Sequence, residues 1–165
     1  MLIAAAPSPD HADRMPLPRS HLLRKHRFSE SGRIYLITFA THRRTPYFSE
    51  HPHAAVVARC LNSPQAWPHG RLLCWTLMPD HWHGLLELGT ESLDRSIGRA
   101  KALATRQWHK ALDCQHVLWG RGFHDRAVRK DEDVLHMARY IVANPVRAGL
   151  VRRVGDYPYW NAIWL

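Results

Sequence analysis

Residues 71–88 run Arg71-Leu72-Leu73-Cys74-Trp75-Thr76-Leu77-Met78-Pro79-Asp80-His81-Trp82-His83-Gly84-Leu85-Leu86-Glu87-Leu88. Two apolar runs flank a tight Pro79-Asp80 turn, so the stretch reads as a hairpin of strands 71–78 and 81–88. Side chains alternate along a strand, which sends Trp82, Leu86 and Leu88 to one face and His81 and His83 to the other. Imidazoles two residues apart on one face stand about 7 Å apart at the backbone, near enough to converge on one ion. Histidines also serve as polar surface residues. The H-x-H pair alone leaves both readings open.

Upstream, Arg33–Thr41 (RIYLITFAT) is β-branched and aromatic, hence a strand. Ser49 stands where it would cap a short helix, with Pro52 in the first turn and Ala54 to Leu61 behind it. Downstream, Ser92 opens a long helix to about Leu112, because Leu93, Ile97, Ala100, Ala104, Trp108 and Leu112 recur near helical spacing. His116–Phe123 reads as a fourth strand. Asp131 is expected to cap a last helix that ends at Asn144-Pro145, since proline disfavours helical geometry in the residue before it. The order β-α-β-β-α-β plus a helix predicts an α+β fold. Its core is a ferredoxin-like split βαβ antiparallel sheet with two helices on one face. The added C-terminal helix, which bears a tyrosine, takes the other face. Residues 1–30 hold Pro7, Pro9, Pro16 and Pro18, then Arg19, Arg24, Lys25 and Arg27. They are expected to form a poorly ordered basic arm, either laid on phosphates or simply solvated. Residues 31–165 make one domain.

On the last helix, Val134, Ala138 and Ile141 form a core stripe at about 100° per residue. Tyr140 and Asn144, i and i+4, share its flank with Cβ atoms expected about 5–6 Å apart. One rigid element thus offers a phenol and an amide side by side. Taken singly, a tyrosine commonly edges a core and an asparagine before proline commonly ends a helix.

Together, MPDHWHG (78–84), RYIVANPVRAGLV (139–151) and GDYP (155–158) resemble the REP-associated tyrosine transposases, a branch of the HUH single-tyrosine transposases. The resemblance runs from about Arg33 to Trp160 and includes LWGRGFHDRAVRKDEDV (118–134). It implies His81 and His83 as metal ligands, Asn144 as a third, amide-type ligand and Tyr140 as the nucleophile. The implied activity is a metal-dependent single-stranded DNA endonuclease and strand transferase working through a 5′-phosphotyrosine. The implied partners are REP-type palindromes, with a hairpin stem and a short guide sequence at its foot. Asp80 departs from the asparagine usual before the first histidine, and Trp82 is a bulky central residue; neither removes a reacting group. A tyrosine hydroxyl is a weak nucleophile at neutral pH, its ordinary pKa being about 10. A cation on the scissile phosphate offsets charge as the oxygen attacks. Mg²⁺ prefers all-oxygen sites and Mn²⁺ accepts imidazole more readily, so either ion suits two imidazoles and an amide.

A formal net charge of +9, with 23 Lys and Arg against 14 Asp and Glu, favours polyanionic partners, nucleic acid first. Arg95, Arg99, Lys101, Arg106 and Lys110 on the long helix, with Arg43, Arg44, Arg126, Arg129 and Lys130 elsewhere, are either DNA-backbone contacts or solvated surface. Trp108, Trp119 and Trp160 either stack on unpaired bases or fill the core. Cys60, Cys74 and Cys114 lie far apart without C-x-x-C spacing, which indicates neither a zinc ribbon nor a disulfide scaffold. No apolar run approaches a membrane span, and Leu2–Ala6 is too short for a signal peptide. A cytoplasmic, nucleoid-associated monomer or homodimer is therefore expected. Two rival readings stand beside this one. The first is a DNA-hairpin binding protein with vestigial nuclease activity. The second is a zinc hydrolase using His81 and His83 with Glu87 or His124, which lacks the HExxH helix of such enzymes. Replication initiators often carry a second tyrosine one turn from the first, where this chain has His136 and Asn144.

Overall fold

The computed structural model describes residues 29–129 and 132–164. Residues 1–28 of the expected arm (1–30), Lys130 and Asp131 lie outside the described residues. In chain order the elements are β1 (Ile34–Ala40), α1 (His51–Leu61), β2 (Gly70–Met78), β3 (His81–Leu88), α2 (Leu93–Leu112), β4 (His124–Ala127), α3 (Val134–Val142), α4 (Asn144–Arg147) and β5 (Trp160–Ala162). The five strands form one antiparallel sheet in the order β4-β1-β3-β2-β5. β1-α1-β2 and β3-α2-β4 are the two split units of the expected α+β fold, and β5 extends the sheet beyond β2.

The alternation of the central hairpin sorts the molecule into layers. Ile37, Phe39, Trp82, Leu86 and Leu88 face α1 and α2 and build the larger core with Val57, Leu61, Ile97, Ala104 and Trp108. On the other face Leu85 joins Ala138, Ile141 and Val142 of α3 in a smaller core. A register shift between Leu72 and Cys74 lets two consecutive residues of β2, Leu73 and Cys74, enter that second core. Trp82 is fully buried, its indole stacked between Phe39 at 4.8 Å and Trp67 at 5.6 Å. Truncating such a side chain typically costs about 3–5 kcal/mol. The ring also lies across Gly84, where a Cβ would stand 2.2 Å from it, so only glycine fits beside this tryptophan.

Several element ends differ from the sequence expectation. The fourth strand is His124–Ala127, and residues 116–123 are not a strand but join the sheet's backbone through a bridge from Trp119 to Thr41. Apolar content misleads here: Leu118 and Trp119 are buried as plugs of the core, while polar His124–Ala127 is held by backbone pairing with β1. Glu50, not Ser49, is the N-cap residue of α1, because Ser49 closes a preceding 3-10 turn. Ser92 is the N-cap residue of α2 as expected, yet the hydroxyl that accepts from Leu93 N–H is that of Ser29, at 3.0 Å. Asp133, not the expected Asp131, caps α3, accepting from the Leu135 and His136 N–H groups. Among the described residues no helix is long and apolar enough to cross a membrane, and Cys60, Cys74 and Cys114 are free thiols.

Candidate active site

Strand β3 presents His81 and His83 on the α3 side of the sheet, opposite Trp82. Their Nε2 atoms face each other at 2.8 Å with the ring planes nearly perpendicular, at 88°. Asp80 Oδ1 lies 2.5 Å from His81 Nδ1. A carboxylate only accepts, so His81 Nδ1 carries a proton and Nε2 is where the neutral ring presents its lone pair. His83 Nδ1 is anchored by Thr38 Oγ1 at 2.8 Å across the β1–β3 pairing. Asp80 is held in turn by Arg44, 3.2 Å away. Burial alone would raise the Asp80 carboxyl, but the hydrogen bond from His81 and the charges of His81 and Arg44 outweigh it and hold it below the usual range. Burial, reinforced by His81 and Arg44 and opposed by Asp80, pushes His83 down to about 4. At neutral pH His83 is therefore uncharged and keeps a ring lone pair, the form that ligates cations.

The helix partners arrive from α3 and α4. Pro145 has no N–H to return to the Ile141 carbonyl, and the helical ladder breaks there. The sequence predicts that the helix stops at this point, but the chain goes on. Proline suits a first turn, so α4 starts at once and carries Asn144 to Arg147. The carbonyl that Pro145 leaves unpaired accepts from the buried Thr76 hydroxyl at 2.9 Å and from Asn144 Nδ2 at 3.1 Å. Thr76 thereby pins the end of α3 to the middle of the sheet. The bond to a carbonyl also fixes the sense of the Asn144 amide, with nitrogen inward and Oδ1 directed away from the helix.

A cleft of about 390 Å³ between β1, β3 and the α3–α4 pair is lined by Thr38, His83, Arg126, Glu132, His136, Tyr140 and Asn144, among others. Three of the four residues singled out from the sequence thus share one opening, and His81 adjoins it through His83. His83 and Asn144 line this cleft beside Thr38, Glu132 and His136, so imidazole nitrogens and side-chain oxygens share one opening. Tyr140 is half exposed (51%), with the Arg147 guanidinium 3.9 Å from its ring centroid. Among the described residues no three His, Cys, Asp or Glu side chains are grouped to hold a metal, so neither Glu87 nor His124 completes a zinc site with the pair.

Thr38 and Arg147 escape a reading of the sequence. Thr38 becomes visible only once β1 is registered against β3, and Arg147 only once the chain turns at Pro145. The basic candidates divide. Arg126 is exposed at the cleft and paired with Glu132 at 2.5 Å; Arg43, Arg44 and Arg129 are exposed. Arg95, Arg99 and Arg106 are exposed on α2, in the opposite layer, with Arg99 paired to Glu91. Lys101 is not available to a phosphate: its ammonium donates to the Gly120 and Gly122 carbonyls at 2.8 and 3.0 Å and lies over Phe39. Trp108 and Trp119 are buried in the larger core and offer no base platform, while Trp160 is half-buried and donates to the Val154 carbonyl.

Comparison with known proteins identifies the family and the fold. The chain is 31% identical over 85 residues to a REP-associated tyrosine transposase of Escherichia coli (strain K12), covering 52% of this chain and 50% of that protein. A putative REP-associated tyrosine transposase of Haemophilus influenzae is 32% identical over 96 residues, covering 50% of this chain and 53% of its own length. The chain thus spans about half the length of the curated relatives it matches. The solved structure of the REP-associated tyrosine transposase bound to a REP hairpin superposes with a TM-score of 0.60 at 22% identity. That match covers 81% of this chain and 79% of that one, and it shares the fold. The family described as Transposase IS200 like matches residues 30–144, well over half the chain and the whole of the cleft's sequence. The chain belongs to the IS200-like transposase family.

Proposed function

We propose that the protein cuts and rejoins single-stranded DNA at hairpins of the REP type, with Tyr140 as nucleophile. The observation that carries this reading is the single cleft shared by Tyr140, Asn144 and His83, with His81 beside it. His81, His83 and Asn144 would hold Mg²⁺ or Mn²⁺. That ion would supply positive charge to the scissile phosphate and align it for in-line attack. The Tyr140 oxygen bonds to phosphorus while the P–O3′ bond breaks. The phenolic proton is released to solvent and the departing oxygen takes one up, leaving a free 3′-hydroxyl and a 5′-phosphotyrosine. The new ester conserves the energy of the old bond, so attack by a 3′-hydroxyl reverses the step and joins strands. Asp80 and Thr38 orient the two imidazoles, and Thr76 holds the helix end that bears Asn144. The hairpin substrate is supported by the names of the relatives and by the REP hairpin bound in the neighbouring structure.

The test incubates the protein with end-labelled hairpin DNA carrying a single-stranded foot, in Mn²⁺ or Mg²⁺. An adduct that survives SDS is expected in the wild type and absent in Tyr140→Phe. Matched linear duplex should yield none. Tight hairpin binding with no adduct under either metal would replace this reading with that of a DNA-binding protein.

A further inference from the structure

Tyr140 stands on the solvent edge of the cleft, where half of its surface is uncovered. The helix excludes χ1 near +60°, but half of the phenol faces solvent, where nothing packs against it to choose between the two wells that remain. The Arg147 guanidinium lies over its ring, 3.9 Å from the centroid. Seven residues separate the two, the same face of a helix but about 10 Å along its axis. The long Arg147 side chain therefore reaches back from α4 across the turn at Ala143–Pro145. Arginine suits this position because its guanidinium is flat, permanently charged and weakly hydrated, so it stacks on an aromatic face.

Resting on the tyrosine chemistry proposed above, we infer that Arg147 is a positioning residue that holds the Tyr140 ring in the orientation for attack. It acts through the nucleophile and not through the fold. The motif Asn144-Pro145-Val146-Arg147 then has two roles on one short turn, a cation donor at its start and a clasp on the nucleophile at its end. Pro145 links them, because it ends α3 and begins the turn that carries Arg147.

The test measures single-turnover adduct formation at saturating hairpin DNA beside hairpin affinity and thermal melting. Arg147→Gln is expected to slow the saturated rate by about tenfold, the consequence of a mis-set nucleophile, with affinity within about twofold. Arg147→Lys keeps the charge without the flat face and should recover part of the rate. A second readout does not depend on activity. In protein labelled with 3-fluorotyrosine, the resonance that disappears in Tyr140→Phe should shift and sharpen in Arg147→Gln, and the other tyrosine resonances should not move. The inference is overturned if Arg147→Gln matches wild type at saturating DNA, whether or not its affinity has fallen. An unchanged Tyr140 resonance in that variant would overturn it too. So would a lysine variant no better than glutamine. Absence of adduct in the wild type is a separate result: it removes the tyrosine chemistry itself, and the inference with it.

Discussion

At the scale of single residues, the site depends on which imidazole nitrogen carries a proton. Asp80 accepts from His81 Nδ1, and that acceptor, not the negative charge, sets the tautomer. An asparagine oxygen can accept from the same N–H, without the strength that the charge adds, so an amide there would set the same tautomer. Asp80→Asn should therefore keep adduct formation. Asp80→Leu should raise the Mn²⁺ needed for half-maximal cleavage by about tenfold or more, read from a metal titration. His83 gives a second expectation, for the metal-free protein. Its folded pKa of about 4 lies below the ordinary value of 6.5. Between those values the unfolded chain binds more protons than the native one, so stability rises with pH. The contribution is complete above about pH 6.5 and is lost as pH falls toward 4. Melting temperature measured across that window in EDTA should fall with acid more steeply in the wild type than in His83→Gln. Parallel slopes would show that His83 is not held neutral by the fold.

At the scale of elements, α3 and α4 act as a bent pair whose joint is chemically useful. Asn144→Gln retains an amide oxygen and should keep some cleavage. Asn144→Leu removes it and should cut weakly, with partial recovery at high Mn²⁺ in the adduct assay. If the asparagine served only to end the helix, Asn144→Leu would lower melting temperature and leave cutting per folded molecule unchanged. How far the sequence discloses these elements follows from what each one rests on. The β2–β3 hairpin is legible because each face meets a different core, so Trp82 and His83 must alternate. Tyr140 and Asn144 are legible as neighbours because helical spacing survives the turn at Ala143. β4 is not legible, since His124–Ala127 is polar and its place is set by backbone bonds to β1. β5 is three residues long, too short for any period to register. The Arg147 stacking and the Thr76 anchor are invisible because both need the three-dimensional joint that proline makes.

At the scale of the whole molecule, the sheet separates the cleft from most of the basic surface of α2. Arg126 lines the cleft from β4 and Arg129 follows that strand, next to the Glu132 that pairs with Arg126, whereas Arg95 and Arg106 stand on the far layer. A hairpin bound with its foot at Tyr140 meets the first pair before the second. Charge reversal at Arg126 and Arg129 should weaken hairpin binding and flatten its salt dependence, by about one unit of slope for each phosphate no longer neutralised. Reversal at Arg95 and Arg106 should do neither, as checked by binding at graded salt. Equal weakening from both pairs would mean that DNA wraps both layers.

The two cores are unequal, and the inequality has a kinetic meaning. α1 and α2 close over the larger cluster, whereas α3 rests on the smaller one with the Thr76 hydroxyl bonded to its last turn. Regions with little buried apolar area open at lower free energy than the rest of a domain. Amide hydrogens of α3 should then exchange through a partial opening that leaves α1, α2 and the central strands protected. Tyr140 would be borne on a segment able to lift and reseat without unfolding the scaffold. If the proposed tyrosine chemistry holds, such a detachable layer would let the nucleophile travel with its covalently attached strand.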